Sequence, residues 1–150
     1  MKLVLIFFLV ALVGLNPGVA AEPLAINPEQ IIWTADPAVP GLQKSVLVGD
    51  AAQAGPFVKR VRLAAGALFK PHTHPEDRIY TVLSGILYIG YGDTFDDSQL
   101  RAYPAGSILV VPGGASHFHA AVSGEWIAQI NSMGPTSMRY VDSAGVPPKK

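Results

Sequence analysis

The stretch PHTHPEDR, Pro71 to Arg78, sets two histidines two residues apart between prolines and acids. In an extended strand, residues i and i+2 point to the same face. His72 and His74 can therefore aim two imidazoles in one direction. The remaining two histidines of the chain repeat the spacing, as His117-Phe118-His119. If the two segments lie side by side on the wall of a barrel, four rings converge on one interior point. Neutral imidazole is the commonest side-chain metal ligand and suits zinc, iron, copper and nickel. Three protein nitrogens that leave positions open for water and substrate meet the needs of a catalytic site. A single H-x-H in a loop is usually a solvated polar pair. Two pairs that use every histidine of the chain point to a metal site instead.

Outward from this stretch, the sequence reads as strands. Gly and Pro recur between short runs rich in Val, Ile, Leu, Tyr and Phe, the pattern of a sandwich or barrel. Phe57 to Leu63 alternates, with Phe57, Lys59, Val61 and Leu63 on one face and Val58, Arg60 and Arg62 on the other. That is the pattern of a half-buried antiparallel strand. Arg78–Gly85 and Ile86–Gly92 read as a hairpin turning at Ser84-Gly85. Ser116–Val122 and Glu125–Asn131 read as another, around Ser123-Gly124. Gly106–Gly114 is nearly all apolar, as expected of a strand covered on both sides. Asp93–Leu100 reads as a helical turn or a loop. No segment after residue 21 shows a long helical period. Residues 22–44 form an irregular, proline-rich arm with an edge strand near Ile31 to Thr34, residues 45–142 the barrel, and residues 143–150 a disordered tail.

The N-terminal segment has a positive start at Lys2, a charge-free apolar run from Leu3 to Leu15, a helix-breaking Pro17 and small residues at Val19 and Ala21. This is the layout of a secretory signal peptide, residues 1–21, with cleavage after Ala21. The apolar run is shorter than the roughly 20 residues a spanning helix requires, so no stable membrane anchor is expected after cleavage. The protein is expected to be exported, to a periplasm or to the medium. Eleven basic residues balance eleven acidic ones, which gives no electrostatic case for nucleic acid. The chain has no Cys, so disulfides contribute nothing to its stability.

Two spacings together resemble the cupins. Gly66, five residues, His72-x-His74 and then Gly85 is similar to their first signature. Gly106, five residues, Pro112-x-Gly114, two residues and His117 is similar to their second. The resemblance implies an all-β fold, a double-stranded β-helix (jelly-roll) barrel. It also implies a divalent metal ion (Fe, Mn, Zn, Ni or Cu) held inside the barrel by His72, His74 and His117.

The chain departs from that pattern at two places. Arg78 stands where the family usually has a glutamate ligand, and Ala121 stands where it has asparagine. Arginine is a permanent cation with no acceptor and cannot ligate. A fourth ligand then comes from Glu76, Asp77 or His119, or the site uses three histidines alone. Arg78 either lies on the surface, bridged to Glu76 or Asp77, or faces inward, where it pairs with Glu76 or Asp77 or clamps an anionic substrate. Tyr80 shares its face. Arg78 and Tyr80 are thus the catalytic candidates, and Arg78, Tyr80 and His119 the substrate-binding ones. Tyr88 and Phe118 are weaker pocket candidates, since aromatics at strand spacing are more often core.

The expected function is a metal-dependent oxidoreductase of the dioxygenase type acting on a small organic molecule, with isomerase or lyase chemistry next. The alternative is a non-enzymatic periplasmic barrel that binds a small ligand or a metal. A homodimer is expected by resemblance, with residues 22–34 crossing to the partner and covering open sheet edges.

Overall fold

The computed structural model describes residues 22–141. The signal segment, residues 1–21, and the tail, residues 143–150, lie outside the described residues. Among the described residues eleven strands are formed: β1 (Thr34–Ala35), β2 (Leu42–Val48), β3 (Gly55–Leu63), β4 (Leu68–Thr73), β5 (Arg78–Ser84), β6 (Ile86–Tyr91), β7 (Arg101–Pro104), β8 (Ile108–Val111), β9 (His117–Ala120), β10 (Trp126–Gly134) and β11 (Arg139–Tyr140). They make two antiparallel sheets. One has the order β1-β2-β3-β10-β5-β8 and the other β11-β4-β9-β6-β7. Consecutive strands repeatedly fall in opposite sheets, as a jelly roll requires.

The core lies between the two sheets. Phe57, Leu63, Val82, Leu87, Ile89, Val111, Trp126 and Ile130 are almost wholly removed from water there. Burial of such side chains is worth roughly 1.5–3 kcal/mol each. The β3 alternation holds: Phe57, Val61 and Leu63 point inward with Lys59 among them. Trp126 donates its indole N–H to the carbonyl of Ala120 at 3.1 Å, which ties the start of β10 to the end of β9 across the sandwich.

Three strand readings need correction. Neither expected hairpin exists. β5 pairs with β10 and β8, whereas β6 pairs with β7 and β9, so Ser84-Gly85 turns a corner between sheets. Only Gly85 separates the two strands. Its φ is +68°, and a Cβ there would lie 2.2 Å from the carbonyl oxygen of Glu125. A bend from one sheet into the other, pressed against that backbone, requires glycine. β9 and β10 are likewise split between the sheets, with Ser123-Gly124 in the crossing. The third correction concerns Gly106–Gly114. β8 is an edge strand covered on one side only; Leu109 and Val111 face the core while Ile108 and Val110 are exposed. The strand covered on both sides is β9, all four of whose residues are buried. The edge strand of the arm is Thr34–Ala35, and Asp93–Leu100 contains a 3-10 turn at Asp97–Gln99.

Candidate metal centre

The site grows from an irregularity in the pairing of β4 with β9. Phe69 lies opposite His119 and His72 opposite His117, so three steps along β4 match two along β9. This is a β-bulge, and Pro71, which has no N–H to give the ladder, sits within it. The extra residue puts Phe69 and His72 on the same inward face. Their rings stack at 3.8 Å between centroids. The bulge also turns the carbonyl of Lys70 toward His72, whose Nδ1–H donates to it at 2.7 Å.

All four histidines are buried. Ring centroids are separated by 4.3 Å for His72 and His117, 4.9 Å for His72 and His74, 5.5 Å for His74 and His117, and 5.2 Å for His117 and His119. The same hydrogen bond recurs three times. Besides the His72 bond, His74 Nδ1 donates to the carbonyl of Ser137 at 2.6 Å and His117 Nδ1 to that of Ala115 at 2.9 Å. A carbonyl can only accept, so the proton of each neutral ring sits on Nδ1. Each Nε2 is left with a free lone pair.

The Nε2 atoms of His72, His74 and His117 and the Nδ1 of His119 are buried with no hydrogen-bond partner among the described residues. Buried polar atoms in native proteins are normally satisfied. Unsatisfied acceptors on clustered imidazoles fit a cation, so the residues present suit a metal ion. His72, His117 and His119 each place a donor atom within 4.8 Å of the others and could hold one. That grouping contains His119 where the motif resemblance implies His74, and the two sets overlap at His72 and His117.

Burial holds the rings neutral. Loss of solvation, then repulsion from His117, lowers the pKa of His72 to about 3. Loss of solvation, then the charge of Arg78, lowers that of His74 to about 2. Loss of solvation lowers that of His117 to about 4 and sets that of His119 well below the ordinary range. Metal ligation requires deprotonated imidazole, and the site supplies it at neutral pH.

The remaining sequence candidates divide clearly. Arg78 is not a surface residue: only 4% of its side chain is exposed. Its Nε and Nη2 both donate to Glu76 Oε1, at 2.9 and 2.6 Å, and Nη2 also donates to Thr136 Oγ1 at 2.6 Å. Thr136 in turn donates to the same Glu76 oxygen. Glu76 is thus the partner of Arg78. Asp77 instead accepts from the backbone N–H of Gly113 at 2.7 Å, which ties the first histidine loop to the second signature. Tyr80 is buried, and its ring lies 5.7 Å from that of His119. Phe118 packs on the opposite side of β9, against Phe95, away from the histidines.

A cavity of about 240 Å³ adjoins the histidines. His74, Arg78, Tyr80, His119 and Lys59 line it, over an apolar wall that includes Val61, Phe69, Trp126 and Ile130. Exposed Lys44 and Met138 mark its mouth, where Lys44 is paired with Asp36 at 2.8 Å. Lys59 and Thr136 were not singled out from the sequence. The signal for Lys59 was present, as a lysine in register with Phe57, Val61 and Leu63 on an inward face. Loss of solvation, then repulsion from Arg78, lowers its pKa to about 7. Thr136 had no local signal, since it lies 60 residues from its carboxylate partner.

With this geometry in hand, comparison with known proteins is specific. The ChrR cupin-like domain matches residues 21–135. Germin-like protein 8-2 of Oryza sativa subsp. japonica is 37% identical over 67 residues, which cover 43% of this chain and 30% of that protein. The chain spans about a third of the length of the curated relatives it matches. Among solved structures, the polyketide cyclase RemF from Streptomyces resistomycificus superposes with a TM-score of 0.68 at 12% identity, over 80% of this chain and 86% of that one. An oxalate oxidase superposes with a TM-score of 0.58 at 20% identity, over 84% of this chain and 68% of that one. These two likenesses are likenesses of fold.

Proposed function

This chain belongs to the ChrR cupin-like domain family, and on that premise we propose that it is an exported, metal-dependent barrel that transforms a small organic molecule. His72, His74 and His117 would hold a divalent ion through Nε2. The observation that carries this reading is the threefold bond from Nδ1 to a backbone carbonyl, which leaves three buried Nε2 lone pairs with no partner among the described residues. Metal-ligating histidines almost always donate their other ring N–H in this way, and the bond fixes both tautomer and ring orientation. His119 has an unpartnered Nδ1 but no such bond is seen for it, so it stands beside the set as a fourth donor or a contact for substrate.

When bound, a divalent ion supplies Lewis-acid polarisation of a substrate's oxygen atoms and, if it is redox-active, electron transfer. The chain's own residues do the rest. The apolar wall excludes water and shapes a cavity smaller than the roughly 300–1,000 Å³ of drug-sized pockets. Arg78, held rigid by Glu76 and Thr136, presents a fixed guanidinium edge beside His74. The solved structures of like fold include an enzyme named for oxalate oxidation and one named as a polyketide cyclase.

A second reading follows from His119. Four nitrogen ligands would close the coordination sphere and favour retention of metal without turnover, since catalytic sites keep a position open. X-ray absorption spectroscopy of zinc-loaded wild type and His119→Ala separates the two. The catalytic reading expects an unchanged count of three imidazoles. Loss of one imidazole in the variant would replace it with the closed, binding site.

A further inference from the structure

We propose that the molecule bound in this cavity is a small carboxylate, and that the Lys59 ammonium receives its negative end. The inference deepens the reading of the cavity as a small-molecule site and rests on it.

The charges lining and supporting the cavity settle into pairs with one left over. Asp36 is matched to Lys44 at 2.8 Å and Glu76 to Arg78 at 2.6 Å. Lys59 has no carboxylate within ion-pairing distance and no hydrogen-bond acceptor among the described residues. Its one polar compensation is the face of Phe57, 5.8 Å from Nζ. Arg78, the anion clamp expected from the sequence, has two of its three nitrogens spent on Glu76 and Thr136. The cavity's unspent cation is therefore Lys59.

Its place in the barrel suits the role. In the sheet register Lys59 lies opposite Ile130, with Tyr80 on the next strand. It lines the same cavity as His74 and His119, so a molecule of a few heavy atoms touches both the lysine and the histidine wall. A half-buried ammonium beside the cation of Arg78 is costly to keep, and beyond the Phe57 face and the more distant charges of Glu76 and Asp36 no protein group offsets that cost. A ligand carboxylate does. Charge also decides between substrate classes. A phenol is neutral at pH 7 and gives Lys59 nothing to neutralise, whereas an organic acid carries the charge the cavity lacks.

The test compares propionate with its neutral isostere propionamide, by NMR titration of full-length purified protein, in wild type, Lys59→Met and Lys59→Arg. Metal content is measured in the same samples. Wild type is expected to bind propionate at least about tenfold more tightly than propionamide. Lys59→Met should lose that preference with its metal content unchanged, and Lys59→Arg should recover part of it. Equal affinity of wild type for the two probes overturns the proposal without recourse to any variant. So does a preference that survives in Lys59→Met. Metal present with no propionate preference defeats this inference alone. Preference for propionate in protein that takes up no metal upholds Lys59 and defeats the metal-dependent reading.

Discussion

At His72 the ring spends one nitrogen on Lys70 and keeps the other dry and free, and the same division holds at His74 and His117. Each of these rings is neutral when folded, with a pKa pushed from 6.5 to about 3, 2 and 4 respectively. In the unfolded chain they protonate near 6.5. Between the two values the unfolded state binds more protons, so stability is present above pH 6.5 and is lost as pH falls toward 4 and below. Each ring contributes a loss of up to about 1.4 kcal/mol per pH unit in that window. Urea unfolding of metal-free protein at pH 7.5, 6.0 and 5.0 should show a stability that drops progressively and ever more steeply. A flat profile would mean that the rings are not buried and neutral. Of the site residues, the histidines were legible because their spacing fits a strand and they are all the histidines present. Arg78 was legible only as a departure. Its partner Glu76 was one of the two carboxylates named beside it, but the contact with Thr136 depended on a loop closing back, which no local pattern reveals.

Strands could be read from alternation, but their allocation to sheets could not. Ser84-Gly85 and Ser123-Gly124 have the composition of hairpin turns, and here both serve crossings between sheets. The same residues suit both uses because each needs a backbone bend that glycine permits. The β4 bulge was equally hidden, although Pro71 was its trace. The corner at Gly85 makes a sharp prediction. Gly85→Ala combines a φ of +68° with a Cβ 2.2 Å from the Glu125 carbonyl oxygen. It should destabilise the protein by about 2–4 kcal/mol, read as a lower urea midpoint at unchanged slope. A midpoint equal to wild type would show that the corner relaxes freely. Gly106–Gly114 misled in another way: apolar residues on both faces of β8 suggested burial on both sides, but Ile108 and Val110 lie on an open outer face of an edge strand.

For the whole molecule, the two sheets form a sandwich whose core is apolar except where four histidines, a buried arginine and a lysine gather at one region. A fold selected for stability alone would fill that region with apolar side chains. The polar cluster is the departure that function explains. The fold class was legible as a whole because glycine, proline and histidine spacings over Gly66 to His117 act together. The cavity was not, because Lys44, Lys59, Arg78 and Thr136 come from separate strands and loops. The central claim is that these histidines bind a metal ion, and elemental mass spectrometry tests it most directly. The comparison is between untagged wild type, purified without chelator, and His72→Ala/His117→Ala. About one equivalent of a single transition metal per chain in wild type, lost in the variant, is the predicted result. Wild-type protein that carries no metal, and takes up none when divalent ions are added back, would contradict the claim.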